Sequence, residues 1–185
     1  MNQEKRIVYA DDDTESTGML LRLRVPVLLL GLALGVLISF ITSRFEDVLA
    51  YDVRVAFFLP FIVYMAAAVG SQTQSIYSRD LRSGRAKFHN YLIKESSLGF
   101  AIGAIFGLVS WLLVWWWMED VLLALSIGAS MFATILFAPL IALLTTQISQ
   151  LLREDPAVEA GPIATVFQDM TSVVIYGVVC SVILL

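Results

Sequence analysis

Five long apolar stretches dominate the sequence and limit what it can fold into. They cover residues 25–43, 55–77, 97–118, 121–148 and 161–185. A helix needs about 20 mostly apolar residues to cross the roughly 30 Å hydrocarbon core of a bilayer. The composition agrees, because 58% of the 185 residues are hydrophobic and only 15% are charged, whereas soluble domains are about 25% charged. We therefore predict an all-α, polytopic membrane bundle of five transmembrane helices.

The polar N-terminal segment lacks the features of a cleaved leader. Residues 1–18 carry both acidic and basic side chains, and no small-residue cleavage site separates them from the first apolar stretch. We expect a polar cytoplasmic tail at residues 1–18, followed by the five-helix transmembrane domain at residues 19–185.

The distribution of lysine and arginine predicts the orientation in the membrane, because cytoplasmic loops carry an excess of these residues. With the N-terminus inside, the inner segments hold most of the 12 basic residues. The inner set is Lys5, Arg6, Arg22, Arg24, Arg79, Arg82, Arg85, Lys87, Lys94 and Arg153, and the outer set is Arg44 and Arg54. We therefore expect a multi-pass protein of the plasma membrane with the N-terminus inside and the C-terminus outside.

Several classes of function are excluded by the residues present. The single cysteine, Cys180, lies in an apolar run and cannot form a disulfide framework or a cysteine-rich zinc site within one chain. The net charge of −4 argues against nucleic acid as a partner. The sequence contains no HExxH, GxGxxG or GxSxG motif. We expect neither an enzyme nor a nucleotide-binding protein.

Three stripes of small residues at four-residue spacing predict close helix packing. Small residues let helix backbones approach each other in lipid, and this packing drives helix association there. The stripes are Gly31, Gly35 and Ser39 in the first span, Gly99, Gly103 and Gly107 in the third, and Ser126, Ser130 and Thr134 in the fourth.

Asp169 is the one carboxylate deep within a predicted span. It lies about eight residues into the fifth span, on the order of 12 Å along the helix. An aspartate at the centre of a bilayer costs at least about 2.5 to 3.5 kcal/mol on insertion scales. No lysine, arginine or histidine lies within any span to pair with it. Asp169 is therefore either a cation ligand or a hydrogen-bonded group that ties helices together.

Two other polar segments resist a passive packing interpretation. The second span turns polar at Gly70 to Ser75, although that polarity also fits a helix that has left the hydrocarbon by Ser71. The segment from Asp155 to Pro162 contains two prolines and a glycine, which predict an abrupt start of the last helix. Ligation by oxygen atoms alone suits hard cations such as Mg²⁺, Ca²⁺ or Mn²⁺. By contrast, Glu95 precedes the third apolar stretch and is expected at the membrane interface.

The second and fifth spans resemble those of a known transporter family. AFFLPFIVYMAAAVGSQ, residues 56–72, resembles the second membrane helix of the MgtE magnesium transporter family, and DPAVEAGPIATVFQDMTSVVIYG, residues 155–177, resembles its fifth. The Arg44-Phe45-Glu46 segment and Glu95 fall in the same register. The resemblance covers residues 20–185, the five-helix membrane domain of that family.

The resemblance implies a homodimer in the bilayer, with the ion path between the second and fifth helices of both subunits. Five helices do not easily enclose a polar pathway alone, which also favours a symmetric dimer. By position, Asp169 is similar to the aspartate that binds the cation in that family, and Thr165, one turn earlier, would offer the cation a backbone carbonyl or hydroxyl oxygen nearby. The positions expected to line the pore are Ala68, Gly70, Ser71, Gln72, Gly161 and Ser172.

The chain also departs from the family pattern. Ala68 stands where the family usually has asparagine, Ala66 and Ala67 replace glycines, and Ser172 stands where glycine is common. The sequence carries no counterpart of the cytosolic Mg²⁺-sensing domains of longer members, so we expect regulation to be intrinsic, supplied by a partner, or missing. The prediction is a divalent-cation transporter or channel, with Mg²⁺ favoured as the bound and transported ion. A non-transporting membrane scaffold and a Na⁺- or H⁺-coupled cation exporter remain alternatives.

Overall fold

The computed structural model describes residues 15–152 and 161–185, and the secondary structure of this part of the chain is helical throughout. The helices are α1 (Thr17–Ser43), α2 (Glu46–Tyr51), α3 (Arg54–Arg82), α4 (Phe88–Met118), α5 (Val121–Leu152) and α6 (Gly161–Leu184). All except α2 contain a stretch that is long and apolar enough to cross a membrane. The predicted all-α fold with five spans is therefore confirmed. The tail through residue 14 and the segment 153–160 lie outside the described residues, and the orientation remains a prediction.

Four helices, α1, α3, α4 and α5, extend beyond the apolar stretches from which they were predicted. α1 begins at Thr17 instead of residue 25, and α4 begins at Phe88 instead of residue 97. Hydropathy marks only the part of a helix that suits hydrocarbon, whereas the backbone hydrogen bonds continue into the polar flanks. The short helix α2 was not predicted. The negative charges of Glu46 and Asp47 in its first turn stabilise it, because the N-terminus of a helix carries partial positive charge.

Helix α5 lies at the centre of the bundle and packs against α3, α4 and α6. In its most apolar window 56% of the residues are buried, compared with none in the corresponding window of α1. Helix α1 packs mainly against α6 at the periphery. The small residues predicted to pack in the fourth span, Ser126, Ser130 and Thr134, are all buried.

Close contact between α4 and α5 depends on the predicted glycine stripe. A Cβ atom at Gly99 would lie 3.0 Å from the carbonyl oxygen of Leu136. A Cβ atom at Gly103 would lie 2.9 Å from that of Phe132, and one at Gly107 would lie 2.9 Å from that of Gly128. Only glycine permits this approach of one helix backbone to the other.

The first-span stripe behaves differently. A Cβ atom at Gly31 or Gly35 would meet no atom of the described residues within 4 Å. The Ser39 hydroxyl donates a hydrogen bond to the carbonyl oxygen of Gly35 in its own helix. The described residues of one chain therefore supply no packing partner for these two glycines, and the predicted packing is not found for them.

Polar contacts tie the helices together at the end of the bundle where α3 and α5 begin. Arg54 Nη2 donates hydrogen bonds of 2.7 Å to the carboxylates of both Asp52 and Asp120. The other oxygen of Asp120, Oδ1, accepts from the backbone N–H groups of Leu122 and Leu123, which caps the start of α5. One arginine thus joins the α2–α3 connection to the α4–α5 connection.

Candidate cation pathway

The structure brings the second and fifth spans together, as α3 and α6, and α5 packs against both. An open cleft lies between the three helices. The cleft lies in the half of the bundle that the charge distribution predicts to be cytoplasmic. Its lining residues are Ala67, Gly70, Ser71, Gln74, Ala142, Thr145, Ala164, Thr165 and Gln168.

Gly70 allows the close approach of α3 to α6. A Cβ atom at this position would lie 3.1 Å from Gln168 Oε1 and 3.5 Å from the carbonyl oxygen of Ala138 in α5. The first of these distances is shorter than ordinary van der Waals contact, so any larger residue would displace the Gln168 side chain. Gly70 is buried and lines the cleft.

Asp169 and Thr165 occupy neighbouring turns of α6. The Asp169 side chain is half-buried and Thr165 is exposed and lines the cleft. In residues 15–152 and 161–185, no three histidine, cysteine, aspartate or glutamate side chains form a group that could hold a metal ion. On α6 the carboxylate of Asp169 is half-buried, and a site with one carboxylate suits a cation that retains most of its water ligands.

The other positions expected to line the pore have different environments. Ser71 lines the cleft, and its hydroxyl donates a hydrogen bond to the carbonyl oxygen of Ala68, which is half-buried. Gln72 is exposed, and Gly161 is the first residue of α6. Ser172 is fully buried and donates a hydrogen bond to the carbonyl oxygen of Gln168. The assignment of these residues to a pore remains a prediction.

Gln168 lines the cleft but was not among the residues expected to line the pore. Its side chain is only 5% exposed, and its Oε1 atom has no hydrogen-bond partner among the described residues. The polarity of the residue was visible in the sequence, but its burial depends on the positions of α3 and α5. No periodic signal in α6 alone would have identified it.

Glu95 lies within the bundle, and its expected position at the membrane interface remains a prediction. The residue is 8% exposed, and its Oε2 accepts a hydrogen bond of 2.8 Å from the Thr73 hydroxyl. Helix α4 starts at Phe88, two turns before Glu95. At the same end of the bundle, the Tyr77 hydroxyl donates a hydrogen bond of 2.5 Å to Gln147 Oε1 in α5.

Comparison with known proteins identifies the family. Residues 59–179 match the family model of MgtE, described as a divalent cation transporter. The matched segment begins in α3 and ends in α6, so it includes the cleft and Asp169. A family of transporters also agrees with the expectation that the chain is not an enzyme.

Three curated relatives carry the name magnesium transporter MgtE. The chain is 28% identical over 156 residues to the protein of Bacillus subtilis and 31% identical over 156 residues to that of Enterococcus faecalis. It is 28% identical over 162 residues to the protein of Thermus thermophilus. Each alignment covers 83% of this chain but only 34% or 35% of the relative, so the chain spans about a third of their length.

The family match and the five membrane-crossing helices lead to the same conclusion. The match covers well over half of the chain, and it falls on the helices that the resemblance in the sequence had indicated. The chain is a multi-pass protein of the cell membrane and belongs to the MgtE family.

Proposed function

We propose that this chain forms a divalent-cation transporter or channel with Mg²⁺ as the favoured substrate. The observation that carries the proposal is the half-buried Asp169 on α6, a helix that packs against α3 within the segment matched by the family model. The three relatives are named as magnesium transporters, which supports Mg²⁺ over other divalent cations.

The proposed pathway lies between α3 and α6 of two subunits. One chain supplies one carboxylate at Asp169, whereas a symmetric dimer would supply two, which together balance the charge of a divalent cation. Mg²⁺ loses its water ligands reluctantly and is usually bound through one or two carboxylates. Two Asp169 side chains would therefore hold a largely hydrated ion without a complete protein cage.

The membrane potential is a sufficient energy source for uptake in this proposal. Moving one elementary charge across a potential of 100 mV releases about 2.3 kcal/mol, so a divalent cation gains about 4.6 kcal/mol. Inward flux down this gradient requires no nucleotide. The proposal accordingly places no ATP-dependent step in the transport cycle.

The decisive experiment is Mg²⁺ influx into liposomes that contain the purified full chain, with an inside-negative potential imposed. We expect saturable, potential-dependent flux that Asp169→Asn reduces by at least about 100-fold, because loss of the carboxylate leaves the ion without a charged partner. The matched control is Asp47→Asn, which makes the same chemical change at an exposed position on α2.

The outcomes separate the alternatives. Normal flux in a folded Asp169→Asn variant would reject Asp169 as the cation ligand. No flux from well-folded wild-type protein would favour a membrane scaffold. Flux that follows an imposed sodium or pH gradient instead of the potential would favour a coupled exporter.

A further inference from the structure

One face of α4 points away from the bundle and combines lysine with apolar side chains. Lys94, Leu98 and Ile105 follow one another at spacings of four and seven residues. These spacings are close to one and two turns of about 3.6 residues, so the three side chains share a face. Gly103, in the glycine stripe that packs against α5, is nine residues after Lys94. Nine residues are about two and a half turns, so the shared face is opposite the glycine stripe.

The side chains of this face are accessible. Leu98 and Ile105 are 50% and 59% exposed, and Lys94 is exposed as well. Lys87 directly precedes the first residue of α4, seven residues before Lys94, and is also exposed. We call Lys87, Lys94, Leu98 and Ile105 the outer face of α4. Its lysines lie where the helix begins, and its apolar side chains lie farther along the helix.

The carboxylates of Glu95 and Asp80 do not cancel the positive charge of the outer face. Glu95 is 8% exposed and accepts its hydrogen bond from Thr73 within the bundle. Asp80, in the last turn of α3, accepts hydrogen bonds from the Tyr91 hydroxyl and from Arg79 Nε. Both carboxylates are therefore already partnered by other side chains, and the start of the outer face remains positive.

The connection between α3 and α4 adds a further cation in a defined position. The backbone N–H groups of Arg85 and Ala86 both donate to the carbonyl oxygen of Asp80. Gly84 in this turn has a φ of 69°, a left-handed conformation that glycine adopts without steric cost. The turn holds the exposed Arg85 two residues before Lys87. A surface that is already ordered loses less conformational freedom when it binds a ligand.

A phospholipid with an anionic headgroup matches both parts of the outer face. The phosphate oxygens of a headgroup accept hydrogen bonds, and a lysine ammonium group donates them. Basic side chains next to a membrane span are attracted to anionic lipid surfaces. The acyl chain of the same lipid would extend into the hydrocarbon, where Leu98 and Ile105 are exposed. The charge distribution of the sequence predicts that this leaflet is the cytoplasmic one.

A second copy of this chain matches the outer face less well. Two copies with the same orientation in a membrane are related by an axis along the membrane normal, which brings the same surface of both copies together at one depth. The lysines of the two outer faces would then approach each other. Like charges repel, so the charge of this face favours an anionic partner over a second copy.

We propose that the outer face of α4 binds an anionic phospholipid of the adjacent leaflet. Lys87 and Lys94 donate hydrogen bonds to the headgroup phosphate, and Arg85 adds positive charge beside them. Leu98 and Ile105 contact an acyl chain. The lipid is a partner in addition to the proposed cation substrate, and the inference does not depend on transport.

Native mass spectrometry of the purified full chain in detergent tests this proposal. Palmitoyl-oleoyl phosphatidylglycerol would be titrated against the protein, and phosphatidylcholine with the same acyl chains would be the comparison. We expect the wild type to bind the anionic lipid at least about tenfold more tightly than phosphatidylcholine. The double variant Lys87→Gln with Lys94→Gln should lose this preference, because it removes both donors to the phosphate.

Two further double variants make the test specific. Arg22→Gln with Arg82→Gln is the matched control, because it removes two exposed positive charges from α1 and α3 and should retain the preference. Lys87→Arg with Lys94→Arg retains the charge of the outer face and should retain the preference as well. All of these side chains are exposed, so each variant should unfold at the same temperature as the wild type in phosphatidylcholine.

Four results would overturn the proposal. Equal affinity of the wild type for the two lipids would show that the outer face does not recognise an anionic headgroup. An equal loss of preference in the arginine control would assign the effect to total charge. Unchanged lipid affinity with an altered oligomeric state in the lysine-to-glutamine variant would identify an interface between copies. Binding of glycerol phosphate as tight as that of the lipid would identify a site for a free phosphate ester.

Discussion

At the scale of single residues, Glu95 is a buried carboxylate with a defined partner. The Thr73 hydroxyl donates a hydrogen bond of 2.8 Å to Glu95 Oε2 and thereby joins α3 to α4. Thr73 is 4% exposed. Its hydroxyl can also donate to the carbonyl oxygen of Val69 in its own helix, but that oxygen lies farther away, at 3.4 Å. Because carboxylates inside a membrane protein are costly unless they are paired, this contact should contribute to the stability of the bundle.

Thr73→Val tests this contact, since valine retains the shape of threonine and removes the hydroxyl. We expect the free energy of unfolding to fall by about 1–3 kcal/mol, because the Glu95 oxygen loses a hydrogen bond in a buried setting. The measurement is equilibrium unfolding of the purified protein in mixed micelles. Thr73→Ser retains the hydroxyl and is the control, and equal stability of the two variants would contradict the assigned role.

The adjacent residues Gln168 and Asp169 show how far residue-level prediction can go. Asp169 was recognisable because a carboxylate within an apolar stretch is expensive wherever its helix packs. Gln168 was not, because a glutamine is significant only when its surroundings leave an atom unpaired. Those surroundings come from Gly70 on α3 and Ala142 and Thr145 on α5, which no local pattern in α6 could supply.

At the scale of secondary structure elements, the α4–α5 pair is the clearest case of helix packing that depends on small residues. Gly103→Ala would place a methyl group 2.9 Å from the Phe132 carbonyl oxygen, a backbone atom that cannot move without the helix. We expect a loss of about 1–3 kcal/mol in the free energy of unfolding, typical of overpacking.

Gly35→Ala is the control for this prediction, because it makes the same change in α1, where a Cβ atom would meet nothing within 4 Å in the part of the chain that the structure describes. Both variants would be compared by thermal unfolding in detergent. A similar loss of stability in Gly35→Ala and Gly103→Ala would mean that glycine content, and not the α4–α5 distance, determines the effect.

The comparison of α1 with α4 shows why small-residue stripes predict packing only in part. The four-residue spacing identifies a helix face on which another backbone can approach, but it does not identify the neighbour. In α4 that face meets α5, whereas the corresponding glycines of α1 have no such neighbour in residues 15–152 and 161–185. The short helix α2 escaped prediction for another reason, since six residues are too few to give a periodic signal.

At the scale of the whole molecule, the number and order of the spans were predictable, but their arrangement was not. Lipid is as apolar as the side chains that face it, so exposed and buried faces of a spanning helix have similar composition. The central position of α5 and the peripheral position of α1 therefore leave little trace in hydropathy. The polar positions and the glycine spacing carried most of the information about contacts.

The ion pairs of Arg54 link two distant connections of the chain and include two titratable carboxyl groups, those of Asp52 and Asp120. The hydrogen bond from the Arg54 side chain lowers the pKa of Asp52. The pKa of Asp120 is lowered mainly by the hydrogen bond from the backbone N–H of Leu123, and then by the hydrogen bond from the Arg54 side chain. A carboxyl group whose folded pKa lies below its unfolded value, about 3.9 for aspartate, stabilises the fold at higher pH. This stabilisation is lost as the pH falls through the folded-state pKa values.

Acid should therefore weaken the end of the bundle where α3 and α5 begin. On lowering the pH from about 5 to about 3, we expect wild-type protein to lose more thermal stability than Arg54→Gln, whose aspartates have lost the guanidinium partner. The difference should be about 1 kcal/mol or less, because Arg54 and Asp120 are 36% and 34% exposed and solvent screens the pair.

Arg82→Gln removes an exposed arginine at the opposite end of α3 and is the control. Equal acid sensitivity of wild type and Arg54→Gln would show that the bridge between the two connections contributes nothing to the pH dependence of the fold.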